Sequence, residues 1–205
     1  MLICAMTMRE SLAGEQQYEP LSVSVRALLH RSVADRASPR LTFASQTEGA
    51  AWLAEMSKRL AKYIPDDIAR QDLLVTVQYE ATRAGLDPQL VLGVIQVESK
   101  FRKYAVSKAG ARGYMQVMPF WTRLIGDGNQ NLFNLRTNLR YGCTILRHYL
   151  TIERGDTSRA LARYNGTLGK PHYPENVLRA WAGNWDYERA RSRIVITPTR
   201  YFGEN

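Results

Sequence analysis

The sequence predicts a mainly α protein, and three observations carry that expectation. Apolar residues recur at helical spacing along most of the chain, capping residues and prolines stand where those patterns begin and glycines where they end, and no stretch of useful length alternates as a strand would. With 205 residues, 45% of them hydrophobic and 23% charged, the chain is long enough for one well-buried core and has an ordinary globular composition. No internal repeat is present. The patterns divide the chain into an N-terminal segment 1–64 with one or two helices, a helical domain 65–190, and a tail 191–205.

Residues 11–46 are polar and punctuated by Gly14, Pro20 and Pro39, with Leu21, Val25, Leu28 and Leu29 spaced for one short amphipathic helix, so this part is expected at the periphery. A stronger pattern runs from Thr47 to about Tyr63, with Trp52, Leu53, Met56 and Leu60 on one stripe, and stops at Pro65. Asp66 is the natural N-cap of the next helix, which reaches Ala84 and is closed by Gly85. Asp87-Pro88 is the sharpest signal, because Asp caps and Pro is tolerated in a first turn, so a helix begins at Pro88. Its apolar residues Leu90, Val91, Leu92, Val94, Ile95 and Val97 leave only Gln89, Gly93, Gln96 and Lys100 as a tolerant strip, which places it in the middle of the core.

A loop region then extends to about Gly113, a short helix starts near Pro119, and a Gly/Asn-rich loop spans 126–131. Helical patterns follow over Arg136 to Glu153 and Thr157 to Tyr164. After turn signals from Asn165 to Pro174, Pro174-Glu175 is expected to open a last helix through Ala190.

Lys and Arg outnumber Asp and Glu by 28 to 19, a formal charge of +9 spread along the chain. Such a surface attracts anionic polymers in general and does not choose among nucleic acid, membrane and cell wall. Cys4 and Cys143 have no His or Cys neighbours at ligand spacing, so no structural metal site is expected, and Cys143 in its apolar helix reads as a buried thiol rather than a disulfide partner. No apolar run approaches the ~20 residues needed to span a bilayer. The opening MLICAMTM is apolar without a basic flank, which leaves both an incomplete export signal and a loose terminus open.

Glu98 is the residue that breaks the pattern. It lies on the stripe of Val91 and Ile95, so its side chain points from an apolar helix toward protein, and it sits in the last turn, where the helix dipole opposes negative charge. Both influences push a carboxyl pKa upward, as a general acid requires. An ordinary ion pair with Lys100, Arg102 or Lys103 is the alternative.

Beyond Glu98-Ser99 the chain continues to Ser107 and then to Gly110-Ala111-Arg112-Gly113-Tyr114-Met115-Gln116-Val117-Met118-Pro119. These residues resemble the Glu-Ser and Gly-Leu-Met-Gln motifs of the soluble lytic transglycosylase family, with Tyr114 in place of Leu. Ala162-Arg163-Tyr164-Asn165-Gly166 is similar to its Ala-Tyr-Asn motif, continuing as Thr167-Leu168-Gly169 rather than Ala-Gly, and Asn138 to Leu150 resembles the preceding long helix. The resemblance covers about residues 75–190 and implies a lysozyme-like domain. It makes Glu98 the single catalytic acid/base, cleaving peptidoglycan between N-acetylmuramic acid and N-acetylglucosamine with a 1,6-anhydro end.

The same resemblance places Ser107 near the acid, Gln116 and Met118 along the glycan groove, and Tyr164 facing Glu98. Without it, Ser107 reads as a turn residue, Met118 as core, and Tyr164 as a buried ring with its hydroxyl on the backbone. Tyr173 is the preferred aromatic face for a sugar, ahead of Tyr114, Trp121 and Trp181. No cofactor, no metal, no nucleic-acid partner and a monomer in the periplasm or cell envelope are the accompanying expectations, with envelope protein partners left open. A hydrolase of lysozyme type, with Asp127, Asp156 or Glu175 folded near the acid, and a non-catalytic wall-binding protein are the competing readings.

Overall fold

The computed structural model describes residues 16–187, so Cys4 and the tail 191–205 lie outside the described residues. Eight α-helices follow in order: α1 Val23–Ala34, α2 Gln46–Leu60, α3 Asp67–Arg83, α4 Pro88–Ser99, α5 Phe120–Ile125, α6 Leu135–Ile152, α7 Thr157–Asn165 and α8 His172–Ala180, continued by a π-helical turn Trp181–Trp185. Among the described residues the only strand-like pairings are the isolated bridges Val106 to Arg112 and Arg112 to Val117, which tie the loop between α4 and α5 into a narrow double turn.

Local chemistry sets most helix starts. The side chains of Ser22, Ser45, Asp66, Asp87, Asn134 and Asp156 each accept a backbone N–H in the first turn of the helix that follows. At Asp87 the bond from Gln89 N–H is 2.7 Å, with Pro88 at the first helical position.

The last helix departs from its sequence pattern at both ends. It begins at His172, two residues before Pro174, because the first N–H groups of a helix need no intrahelical partner and a third-position proline therefore sacrifices no bond. The helical run is interrupted after the π turn by Asp186, whose backbone is extended (φ −62°, ψ 103°), and residues 188–190 of the expected helix lie outside the described residues.

α4 is the axis of the core, with Leu92, Val94 and Ile95 wholly buried, and it packs against α3, α8 and the π turn. The strip read from sequence as tolerant is occupied by protein. Gly93 admits α8 so closely that an added Cβ would lie 3.1 Å from the Val177 carbonyl oxygen. Gln96 accepts hydrogen bonds from Trp185 Nε1 (2.9 Å) and Asn184 Nδ2 (3.1 Å). α2 contributes Trp52, Met56 and Leu60, and α1 contributes Leu29, to the same buried cluster.

An ion network crosses the interface of α3 and α6. Glu80 is fully buried and receives Arg140 Nη2 at 2.7 Å and Arg83 Nε at 3.0 Å, with Arg136 Nε 3.7 Å away. Asp35, just past α1, approaches Arg83 (3.8 Å) and Arg140 (4.0 Å), and Arg136 also donates to the Ala37 carbonyl. Cys143 is a buried thiol of the same helix, and burial pushes its pKa well above the ordinary value.

Candidate active site

Glu98 ends α4, followed by Lys100 and Phe101 in the left-handed region (φ 52° and 61°), which turns the chain sharply away from the helix. Its carboxyl is 7% exposed. Burial raises its pKa to about 7, opposed by hydrogen bonds from Tyr173 and, more weakly, Asn165, which favour the ionised form. The Tyr173 hydroxyl donates to Glu98 Oε1 at 2.6 Å, and Asn165 Nδ2 reaches the same oxygen at 3.5 Å. No cation pairs with Glu98 among the described residues; Arg102 turns back to donate to the Ser99 carbonyl (3.0 Å). A carboxyl poised this way is largely protonated just below neutrality and able to take a proton back once ionised.

Two helices deliver the partners. Tyr173 sits in the first turn of α8, and Asn165 is the last residue of α7, where Gly166 in the left-handed region (φ 74°) ends the helix. Asn165 is 2% exposed and its Oδ1 has no partner, so one amide atom serves Glu98 while the other remains an unused acceptor beside it. Sequence analysis quoted Asn165 within its motif but assigned it no role. The signal was its place four residues after Leu161, a polar side chain on the buried face of α7.

The tyrosine hydroxyl bonded to the acid is that of Tyr173; Tyr164, expected to face Glu98, lies close enough to feel its charge but makes its hydrogen bond elsewhere. The Tyr164 ring is buried and its hydroxyl donates to the Met115 carbonyl at 2.7 Å, because its position on α7 faces the core beneath the Met115 turn. Tyr173, expected to offer a face to sugar, is itself buried and spends its hydroxyl on the carboxyl. Burial and the neighbouring Glu98 raise the pKa of both tyrosines well above normal, so both remain donors.

The loop from Ser107 to Met118 forms the adjoining wall. Ser107 Oγ accepts the Ala111 N–H (3.0 Å), and the two residues also pair through Ser107 N–H and the Ala111 carbonyl, so the hydroxyl shapes the turn. Gln116 is buried with φ 49°, and its Nε2 donates to the carbonyls of Gly113 (2.8 Å) and Ala105 (3.2 Å), stitching the double turn together. Met118 is half-buried against the core, and its N–H donates to Gln16 Oε1 (3.2 Å).

From α6, Asn138 holds this loop from below. It accepts the Met115 N–H (2.8 Å) and donates to the carbonyls of Arg112 and Leu132 (both 2.8 Å). Gly113 lies so close over it that a Cβ would fall 2.4 Å from Asn138 Nδ2. The acidic residues weighed as second carboxylates do not join Glu98. Asp127 is 80% exposed beside His30 (3.8 Å), Asp156 caps α7, Glu175 is exposed in α8, and no carboxylate contributes to the Glu98 shift.

A buried carboxylic acid whose pKa is raised to about 7, on the central helix of a mainly helical domain and with tyrosine and amide donors from two flanking helices, is a candidate site for single-acid chemistry. Residues 76–175 match the family model described as Transglycosylase SLT domain, and the domain they form belongs to that family. The transglycosylase of Enterobacteria phage PRD1 is 35% identical over 130 residues, covering 60% of this chain and 46% of that protein. The membrane-bound lytic murein transglycosylase C of Histophilus somni strain 2336 is 38% identical over 161 residues, covering 62% of this chain and 44% of that protein. The namesake protein of Actinobacillus pleuropneumoniae serotype 5b is 45% identical over 53 residues, 26% of this chain and 14% of that protein. The chain thus spans less than half the length of these relatives.

Proposed function

We propose that this chain is a peptidoglycan lytic transglycosylase. In this reading it cleaves the β-1,4 bond between N-acetylmuramic acid and N-acetylglucosamine and leaves a 1,6-anhydromuramyl end. The observation that carries the reading is Glu98: a buried carboxyl with a pKa of about 7, in hydrogen-bond contact with Tyr173 and without a second carboxylate. Glycoside hydrolases that use a carboxylate pair place the two groups ~5 to 9.5 Å apart. Among the described residues no carboxylate contributes to the environment of Glu98.

In the first step protonated Glu98 gives its proton to the glycosidic oxygen. The bond from that oxygen to muramyl C1 breaks, its electron pair stays on the oxygen, and the glucosamine portion departs with a new hydroxyl. The ionised carboxylate, steadied by Tyr173 and Asn165, then takes the proton of the muramyl 6-hydroxyl as O6 bonds to C1. Glu98 ends protonated, and no water is consumed.

Asn165 Oδ1 is suited to accept from a sugar hydroxyl or N-acetyl N–H. Gln116, Ser107 and Tyr164 act here as positioning residues for the loop beside the acid, and Met118 lends apolar surface to its edge. Peptidoglycan as substrate puts the site of action in the periplasm or cell envelope. Digestion of purified peptidoglycan in water enriched in oxygen-18 tests the reaction. Products without label, lighter than the hydrolysed ones by one whole molecule of the labelled water, are expected, and one labelled oxygen per cleavage would make the enzyme a hydrolase.

A further inference from the structure

A cavity of about 400 Å³ opens on a face of the domain that does not include Glu98, between α1, the C-terminal turn of α3 and the later turns of α6. One wall is apolar: Val25, Leu28, Leu29 and Ile152 line it, with Leu28 56% and Ile152 41% exposed at its rim. The opposite end is polar and carries Arg83, Thr144, Arg147 and His148. Among the described residues no carboxylate lines the cavity, and the proposed glycan cleavage uses none of the residues that do.

Two buried polar atoms at that end have no partner, Thr144 Oγ1 and Arg83 Nη2. A helical threonine commonly bonds its hydroxyl to the carbonyl four residues back, as Thr76 does to Asp72 (2.7 Å) and Thr151 to Arg147 (3.1 Å). Thr144, 4% exposed on the same helix as Thr151, makes no such bond, so a residue that lines the cavity keeps an unsatisfied hydroxyl. Orphaned buried polar groups are uncommon and point to something that completes them.

The charge at this end is also incomplete. Arg83, Arg136 and Arg140 surround only two carboxylates, Glu80 and Asp35, so the cluster keeps a positive excess. Arg147 adds a further cation, whose hydrogen bond to the Gly85 carbonyl is long at 3.5 Å. Guanidinium and hydroxyl donors converging beside an apolar wall are the features of a site for an anionic head on a hydrocarbon chain.

We propose that this cavity binds an anionic amphiphile, with a carboxylate or phosphate head against Arg83, Thr144 and Arg147 and an alkyl chain along Leu28, Leu29 and Ile152. The ligand chemistry is common to a free fatty acid and to a lipid of an anionic membrane, and the test separates the two sources. Decanoate, titrated calorimetrically into the full chain below its micelle concentration, should bind saturably at one site. Decyltrimethylammonium, with the same tail and the opposite charge, should bind at least tenfold more weakly. Arg147→Glu, at an exposed position, should weaken decanoate at least tenfold, and Thr144→Val, which keeps shape and charge, several-fold, while both variants retain wild-type cleavage of peptidoglycan.

Co-sedimentation with phosphatidylglycerol vesicles assigns the source. Because a net charge of +9 attracts any anionic surface, that arm is read on the charge-neutral Thr144→Val change. Loss of sedimentation in Thr144→Val identifies a membrane lipid; decanoate binding without a Thr144-dependent vesicle response identifies a free amphiphile. Absent decanoate binding, equal binding of the cationic amphiphile, or unchanged affinity in both variants would overturn the proposal, independently of whether Glu98 catalyses glycan cleavage.

Discussion

At the residue scale, burial of Glu98 ties catalysis and stability to the same titration. The carboxyl has an unfolded value near 4.5 and about 7 when folded, so the native state holds the proton more tightly and stability falls as pH rises between those values. The difference corresponds to about 3 kcal/mol. Glu98→Gln removes the ionisation while keeping the volume, so its melting temperature should exceed that of wild type at pH 8 and match it near pH 4; equal differences at both pH values would argue against a buried titrating carboxyl. Tyr173→Phe removes the donor that favours the ionised form, so the alkaline limb of the pH–rate profile should move upward from about 7, with a rate loss on the order of tenfold. An unmoved limb would mean that the bond to Tyr173 does not govern the proton. Glu98 was legible in sequence because it interrupts an apolar stripe. The hydrogen bond from Tyr173 was not, because Tyr164 and Tyr173 are both aromatic residues in amphipathic helices and only packing decides which hydroxyl reaches the acid.

At the element scale, caps and periodicity announced the helices, whereas the loop that walls the site depends on contacts distant in sequence. Asp66 and Asp87 marked their helix starts directly. Nothing local to Asn138 shows that it would fasten Met115, Arg112 and Leu132, 23, 26 and 6 residues away, nor that Gln96 would receive Trp185 from the π turn. The interruption of the last helix was hidden for a similar reason: residues 181–185 widen into a π turn that brings Asn184 and Trp185 onto Gln96. Asn138→Ala should cost about 3 kcal/mol, roughly 1 for each hydrogen bond lost, and should lower activity even in molecules that remain folded. Denaturant unfolding with parallel glycan assays checks it, and a stable, fully active variant would show that the loop keeps its shape without this clamp. Gly142→Ala should be destabilising as well, because its Cβ would lie 2.4 Å from Met115 Sδ in the same loop.

At the scale of the whole molecule, the N-terminal helices share one interior with the domain that carries the acid. Leu29, Trp52, Met56 and Leu60 enter the buried cluster, and Asp35 reaches the Glu80–Arg140 network. Sequence patterns gave α1 and α2 their approximate extents but not this attachment, since ion pairs between α3 and α6 leave no periodic trace. Removing one partner of a fully buried pair strands the other charge, so Glu80→Leu should cost about 3–5 kcal/mol in urea unfolding. A loss below about 1 kcal/mol would mean that water or the neighbouring residues compensate. The central claim concerns chemistry, that one acid cleaves and recloses the glycan. Mass spectrometry of muropeptides released by the wild type and by Glu98→Gln addresses it most directly. The account predicts 1,6-anhydromuramyl products from the wild type and a rate reduced by about 10²–10⁴-fold in Glu98→Gln; hydrated reducing ends, or anhydro products formed equally by both proteins, would contradict it.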